Sequence, residues 1–190
     1  MSSIAVCPGS FDPITVGHLN IISRTAKLFD QVIVVVMINR KKPSGVFTPE
    51  ERVDFIRRST ADIPNVTVDF YDGLLAEYVV EKGASAIVKG LRVLSDYEDE
   101  FKQALTNKKL AENVETIFMV TDTEYMFLSS SVVKEVCSFG GDLAGLNDLV
   151  GHVDADVGDD GTDGFRVHLH LSAAHQRRFA FFKDVFDLIE

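Results

Sequence analysis

The chain of 190 residues is 46% apolar, enough to bury a sizeable core within one domain, and no second domain is required. Its formal net charge of -10 argues against nucleic acid or an anionic membrane as a partner, because such surfaces are bound through a basic footprint. Cys7 and Cys137 form neither a disulfide framework nor a metal-type spacing, no apolar run reaches the ~18 residues of a membrane span, and the first residues lack a leader pattern, so a cytoplasmic protein is expected.

Apolar Ile4 to Val6 reads as a strand, and Leu19, Ile22, Ala26 and Phe29 recur at helical spacing over Leu19 to Phe29. Between them, Cys7-Pro8-Gly9-Ser10-Phe11-Asp12-Pro13-Ile14-Thr15-Val16-Gly17-His18 forms a strand-to-helix turn. Gly9 and Gly17 are read as room for close approach of a ligand, Thr15 as an N-cap, and His18 as a residue of the first helical turn. Free N–H groups at a helix start suit phosphate, and an imidazole there adds a donor aimed at the same point.

Val32 to Met37 is a second continuous apolar strand, as expected of a parallel sheet covered on both faces. The basic turn Arg40-Lys41-Lys42-Pro43-Ser44-Gly45 follows it, at the end of a strand where open α/β sheets bind ligands. Thr48-Pro49-Glu50-Glu51 is a capping box that opens a helix to about Ala61. Val66 to Tyr71 reads as a strand, Leu74 to Lys82 as a helix ended by Gly83, and Ala86 to Lys89 as a fourth strand. Lys89-Gly90-Leu91-Arg92 then leads to a helix over Asp96 to Glu112, whose Tyr97, Phe101, Ala104 and Leu105 are expected to face inward. Glu115 to Val120 completes five strands, and the loop Thr121 to Leu128 leads through Ser129-Ser130-Ser131 to a short helix, Val132 to Ser138. The pattern is α/β: a Rossmann-like, doubly wound, parallel five-stranded sheet in a single domain.

The string Gly-Ser-Phe-Asp-Pro-x-Thr-x-Gly-His resembles the signature of the nucleotidyltransferases with a His-x-Gly-His or Thr-x-Gly-His motif, and within them it is most similar to the bacterial phosphopantetheine adenylyltransferases. The similarity extends from about Ile4 to about Gly145, which sets off a nucleotidyltransferase domain, 1–145, from an atypical tail, 146–190. It implies adenylyl transfer from ATP, carried with Mg2+, to 4'-phosphopantetheine, giving dephospho-CoA and pyrophosphate, in a homohexamer with CoA as a feedback ligand. No Ser-His-Asp or Cys-His set and no zinc-type cluster can be assembled, which fits a reaction in which the acceptor phosphate attacks directly.

The resemblance carries roles onto particular residues. Ser10 and Phe11 would meet ATP through the first turn, with the Ser10 hydroxyl also near the acceptor phosphate. His18, Lys42 and Arg92 would serve catalysis: His18 at the α-phosphate, Lys42 on phosphopantetheine and Arg92 at the β- and γ-phosphates. Leu75 and Lys89 would contact the acceptor, Gly90 and Leu91 would lie along ATP, and Glu100 would accept a hydrogen bond from the nucleotide side. Tyr125, Met126, Phe127, Leu128, Ser129, Ser130 and Ser131 would cradle adenine and triphosphate. Taken alone, the serines read as helix caps, Glu100 as a solvated helix face and Leu75 as core. Many relatives have Thr at Ser10 and Arg at Lys89; Lys offers a point charge where Arg offers a bidentate fork.

From Gly151 the texture changes to an Asp- and Gly-rich stretch with Asp154, Asp156, Asp159, Asp160 and Asp163, followed by a strand-like Val167 to Leu171 and an amphipathic Arg178 to Leu188. Phe165 occupies the place where a calcium loop needs its glutamate, and His168, His170 and His175 read as surface residues. Competing functions are a related transferase with another acceptor, such as nicotinamide mononucleotide, and a non-catalytic nucleotide-binding protein.

Overall fold

The computed structural model describes residues 3–38 and 45–139. Lys42 and the whole tail, including its histidines and expected strand and helix, lie outside the described residues. Five parallel strands are present: β1 (Ile4–Gly9), β2 (Gln31–Met37), β3 (Val66–Tyr71), β4 (Ala86–Leu91) and β5 (Glu115–Val120). Helices α1 (Val16–Ala26), α2 (Pro49–Ser59), α3 (Leu75–Glu81), α4 (Leu94–Leu110) and α5 (Ser130–Ser138) alternate with them, and a 3-10 turn, Thr123–Tyr125, sits in the expected loop. The strand order is β3-β2-β1-β4-β5. The chain therefore builds outward from β1 in one direction, returns, and builds from β4 in the other, which is the doubly wound plan with a switch point between β1 and β4.

Alternation along the strands sorts the core into two layers. Ala5, Cys7, Val32, Val34, Val36, Ala86 and Val88 pack with Ile21 and Ile22 of α1 and with Val53 and Ile56 of α2. Val6, Ile33, Val35 and Ile87 face the other way, against Ala76, Tyr78 and Val79 of α3. The central strands are thus covered on both faces, which is why they read as unbroken apolar runs. Cys7 lies in β1, where burial pushes its thiol up to about 12, so it is an inert core residue.

Two boundaries differ from expectation in ways that move the site. β1 continues through Cys7 and Pro8 to Gly9, and β4 runs on to Leu91, so the first turn begins only at Ser10. Pairing of β1 with β2 persists to Gly9↔Val36, but pairing with β4 is confined to Ala5↔Ala86 and Val6↔Ile87. Pro8, which has no N–H to give, stands just past the last β1–β4 pair. Beyond that point the two central strands are unpaired toward their carboxyl ends, the place where doubly wound sheets bind ligands.

Helix ends follow their caps. Thr48 accepts from the Glu51 amide while the Glu51 carboxylate accepts from the Thr48 N–H, so the capping box opens α2 as read. Gly83 takes φ of +63 after α3. The expected inward face of α4 is corrected in part: Tyr97, Phe101 and Leu105 are exposed, although the Tyr97 ring stacks on Phe101 and meets Phe118 of β5 edge-on at 5.9 Å. Polar groups also tie that helix to the sheet, Lys89 bonding Glu100 and Gln103, and Lys108 bonding Glu115. Among the described residues no helix is long and apolar enough to cross a membrane.

Ile87 is fully buried between β1, β5 and the α3 layer. Its truncation, Ile87→Ala, is expected to cost ~2–5 kcal/mol of unfolding free energy, read as a lower urea midpoint at unchanged slope. A loss well under ~1 kcal/mol would show that this layer is not the core.

Candidate active site

Three segments meet at the carboxyl ends of β1 and β4: the first turn with the start of α1, the end of β4, and the stretch from Thr121 to α5. Each is fixed by local chemistry that the sequence carries. Phe11 has a positive φ of 44 and a buried ring. That ring lies across Gly9, where an added Cβ would meet the Phe11 Cζ at 2.8 Å. The space over Gly9 is thus occupied by Phe11, a correction to the reading of Gly9 as room for a ligand, and the strained backbone at Phe11 is held by its own packing. Phe11 can therefore meet a ligand only through its backbone, whereas Ser10 is exposed.

Thr15 is the N-cap of α1, and its N–H donates to His18 Nδ1 at 3.0 Å, with Thr15 Oγ1 2.9 Å from the same nitrogen. Histidine here takes the place that Glu or Gln holds in an ordinary capping box. Burial and the positive charge of Arg92 together push His18 down to about 4, so it is neutral at pH 7. Since Nδ1 accepts, the single ring proton is on Nε2. The Phe11 ring stands edge-on at 5.1 Å, and the imidazole is left with one fixed donor.

Arg92, just past β4, places Nε and Nη2 on the Asp96 carboxylate at 3.1 and 3.3 Å, and Nη1 on the Leu128 carbonyl at 3.1 Å. It thereby ties the end of β4 to the expected nucleotide loop. Gly90 lies on the α1 side beside Ile21 and Thr121. Lys89 points to the opposite side of the sheet, where its ammonium bonds Glu100 and Gln103. Lys89 and Glu100, assigned to different ligands from sequence, form one ion pair. Asp96 and Glu100, one turn apart on α4, each hold one cation from the end of β4 or just past it.

In the third segment Tyr125 packs on Gly17, with its Cβ 3.5 Å from where a Gly17 Cβ would stand. Asp122 anchors the segment to α1 through Asn20 at 2.7 Å and Arg24 at 3.2 Å. Met126 is partly buried and Phe127 is 82% exposed, whereas the Leu128 side chain is buried, its N–H donates to the Tyr125 carbonyl and its carbonyl accepts from Arg92. Ser129 caps α5, accepting from the Val132 N–H at 3.1 Å. Ser130 donates to the Pro13 carbonyl at 2.7 Å, and Ser131 is exposed. Leu75 packs on the core cluster of the α3 face beside Met37 and Tyr71, on the side of the sheet opposite α1.

The residue that sequence reasoning passed over is Asp12. It is 5% exposed and accepts from the Phe47 amide at 3.0 Å, the Val46 amide at 3.2 Å and Lys134 Nζ at 2.9 Å, with Arg52 Nε 3.4 Å away. Burial by itself would raise this carboxyl, but Lys134, the two amides and Arg52 outweigh it and hold the group below the usual carboxylate range. Arg52, itself buried, donates to the Phe47 carbonyl at 2.8 Å and the Ser10 carbonyl at 3.1 Å. Gly45 admits the guanidinium, since a Cβ there would fall 1.8 Å from Arg52 Nη2. The available signal was an arginine set among the buried positions Val53 and Ile56 of an amphipathic helix. Among the described residues no group of three or more His, Cys, Asp or Glu side chains could hold a metal ion.

Residues 6–136 match the family model described as cytidylyltransferase-like. The chain is 54% identical over 142 residues to the phosphopantetheine adenylyltransferase of Caldanaerobacter subterraneus subsp. tengcongensis, a match that covers 74% of this chain and 88% of that one. Its fold is similar to that of the lipopolysaccharide core biosynthesis protein of Thermoplasma volcanium GSS1, at TM-score 0.50 and 20% identity, covering 64% of this chain and 98% of that one. It is also similar to a Vibrio parahaemolyticus protein provisionally assigned as a nicotinate-nucleotide adenylyltransferase, at TM-score 0.52 and 17% identity, covering 76% and 85%. At such identities the two structures speak to the fold alone.

The Thr15–His18 bond and the Arg92 charge set the titration of this histidine. Nitrogen-15 NMR of the ligand-free protein is expected to show His18 neutral at pH 7 with its proton on Nε2, and protonating near pH 4. Because the folded-state value lies below the unfolded one, stability is unaffected above about pH 6.5 and falls as the pH drops from there toward 4. A midpoint near 6.5, or the proton on Nδ1, would contradict the assignment.

Proposed function

The chain belongs to the cytidylyltransferase-like family, on its phosphopantetheine adenylyltransferase branch, and from that premise we propose how it works. It transfers AMP from ATP to 4'-phosphopantetheine, releasing pyrophosphate and giving dephospho-CoA, a late step of coenzyme A synthesis. The observation that carries the mechanism is the single fixed donor, His18 Nε2–H, set at the start of α1, past the point where the pairing of β1 with β4 ends.

A phosphate oxygen of the acceptor attacks the α-phosphorus as the bond to the bridging oxygen of pyrophosphate breaks, so no enzyme nucleophile takes part. His18, with the free amides that open α1, meets charge growing on the α-phosphate oxygens. A neutral imidazole suits this task because its donor is fixed and it has no proton to lose at working pH. Ser10 lies at the mouth of the first turn within reach of either phosphate. Arg92 serves the β- and γ-phosphates, exchanging Asp96 for them, and Lys89 exchanges Glu100 for the acceptor phosphate. The phosphate groups are multiply charged and can displace a single carboxylate from each cation.

Mg2+ would enter with ATP, held mainly by the triphosphate and water, and would supply neutralisation of phosphate charge. The segment Tyr125 to Ser131 supplies the adenine and triphosphate side, with the amides at the start of α5. Lys42 is assigned to the acceptor by its sequence position, and Leu75 to the pantetheine arm. CoA, which holds both halves of the product, fits as a feedback ligand of the same pocket. The exposed stripe Tyr97, Phe101 and Leu105 supports a subunit contact, in line with a homohexamer. A cytoplasmic location fits a reaction supplied by ATP.

Pyrophosphate release with ATP, Mg2+ and an acceptor panel tests the reading: phosphopantetheine should be the preferred acceptor, nicotinamide mononucleotide inert, and a folded sample silent with every acceptor would sink it. His18→Ala is expected to lower kcat by ~10²–10³ while ATP binding changes little, as for loss of a donor that acts in the transition state. Lys42→Ala should raise KM for phosphopantetheine well above any change for ATP; equal changes in both would remove Lys42 from the acceptor side.

A further inference from the structure

Helix α5 touches the first turn at two consecutive residues, and both contacts come from one face of the helix. Ser130 Oγ donates to the Pro13 carbonyl at 2.7 Å, and Lys134 Nζ, one turn on, bonds the buried Asp12 carboxylate at 2.9 Å. Ser130 and Lys134 are 117 and 122 residues distant in sequence from their partners. Asp12 in turn accepts from the amides of Val46 and Phe47, so one carboxylate joins the first turn, the entry to α2, and α5. Two residues beyond Pro13, the Thr15 N–H fixes the tautomer of His18.

We propose that Lys134 is a positioning residue for the transfer: acting through Asp12, and with Ser130 beside it, it holds the first turn in the form that presents Ser10 and aims His18. The inference rests on the function proposed above. The chemistry favours this role over simple stability. The Lys134 side chain is 31% exposed and the Asp12 side chain 7%, so the ammonium is a replaceable surface group whose partner is an interior one. Loss of the ammonium takes one donor from Asp12, while the two amides and Arg52 remain to keep the carboxylate satisfied and the fold intact. What is lost is the tie between α5 and the turn. A charge on Asp12 that is no longer met from the α5 side lets the turn relax toward Arg52, and His18 moves with it.

The test compares Lys134→Gln and Lys134→Arg with the parent protein in two measurements. The first is kcat per folded molecule with ATP and phosphopantetheine. The second, made without substrate, is nitrogen-15 NMR of the His18 ring together with the Thr15 amide proton. Lys134→Gln is expected to lower kcat about 10- to 100-fold, to speed exchange of the Thr15 amide and to shift the His18 nitrogens, with a cooperative unfolding transition retained. Lys134→Arg, which keeps a cation within reach of Asp12, should return kcat to within about three-fold and restore both signals. A kcat for Lys134→Gln within about two-fold of the parent overturns the proposal. So does a fall in kcat with the His18 and Thr15 signals unmoved, since Lys134 would then act on substrate directly. If the parent protein itself releases no pyrophosphate with any acceptor, the functional reading fails, and the substrate-free spectra alone decide whether Lys134 controls the turn.

Discussion

The buried carboxylate of Asp12 is the constraint around which the segments at the carboxyl end of β1 are arranged. It lies where the chain leaves the central strand, and it is met by two amides from the entry to α2, by Arg52 and by Lys134. A charge removed from water is tolerable only with such a set of partners, and leaving one uncompensated typically costs ~3–5 kcal/mol. The same requirement gives the arrangement its specificity, since a packing of these segments that left the group unmet would carry that cost. Gly45 is part of it, because any side chain there would collide with the Arg52 guanidinium.

Beyond that anchor, the site is built from groups already engaged with one another. Arg92 holds Asp96 and the Leu128 carbonyl; Lys89 holds Glu100 and Gln103. Both carboxylates project from α4 one turn apart. In a chain of net charge -10, each of these two cations meets a carboxylate of α4. His18 follows a different logic: burial and the neighbouring Arg92 keep it neutral, and its capping bond to Thr15 fixes which nitrogen keeps the donor.

The fold was legible where a few adjacent residues carry the signal. Apolar runs without alternation marked strands covered on both faces, Thr48 to Glu51 marked the start of α2, and Gly83 marked the end of α3. Boundaries slipped where a tertiary contact extends an element: β1 and β4 both run past their apolar residues because β2 and β5 continue to pair with them. The inward face expected for α4 failed for a different reason. The helical spacing of Tyr97, Phe101 and Leu105 suggested a core stripe, whereas the ion pair of Lys89 with Glu100 ties a polar side of the helix to the sheet and leaves the stripe largely exposed, with only Tyr97 reaching Phe118 of β5. At the first turn, Thr15 as N-cap and His18 in the first helical turn were legible because they sit within one helix start, whereas the room read at Gly9 and Gly17 is taken by Phe11 and Tyr125 from the fold. Asp12 was visible in the motif without a role, since its partners are 34 to 122 residues away.

By itself, then, the sequence determined the α/β alternation, the helix caps, the strand-to-helix turn and the residue types that phosphate chemistry needs, all of which arise from interactions among near neighbours. Only the tertiary structure decided the strand order, the early end of pairing between β1 and β4, the pairing of Lys89 with Glu100 and of Arg92 with Asp96, and the meeting of Asp12, Arg52 and Lys134. Those depend on desolvation, which no local pattern can report: a charged group chooses its partner only once folding has excluded water and left few partners within reach.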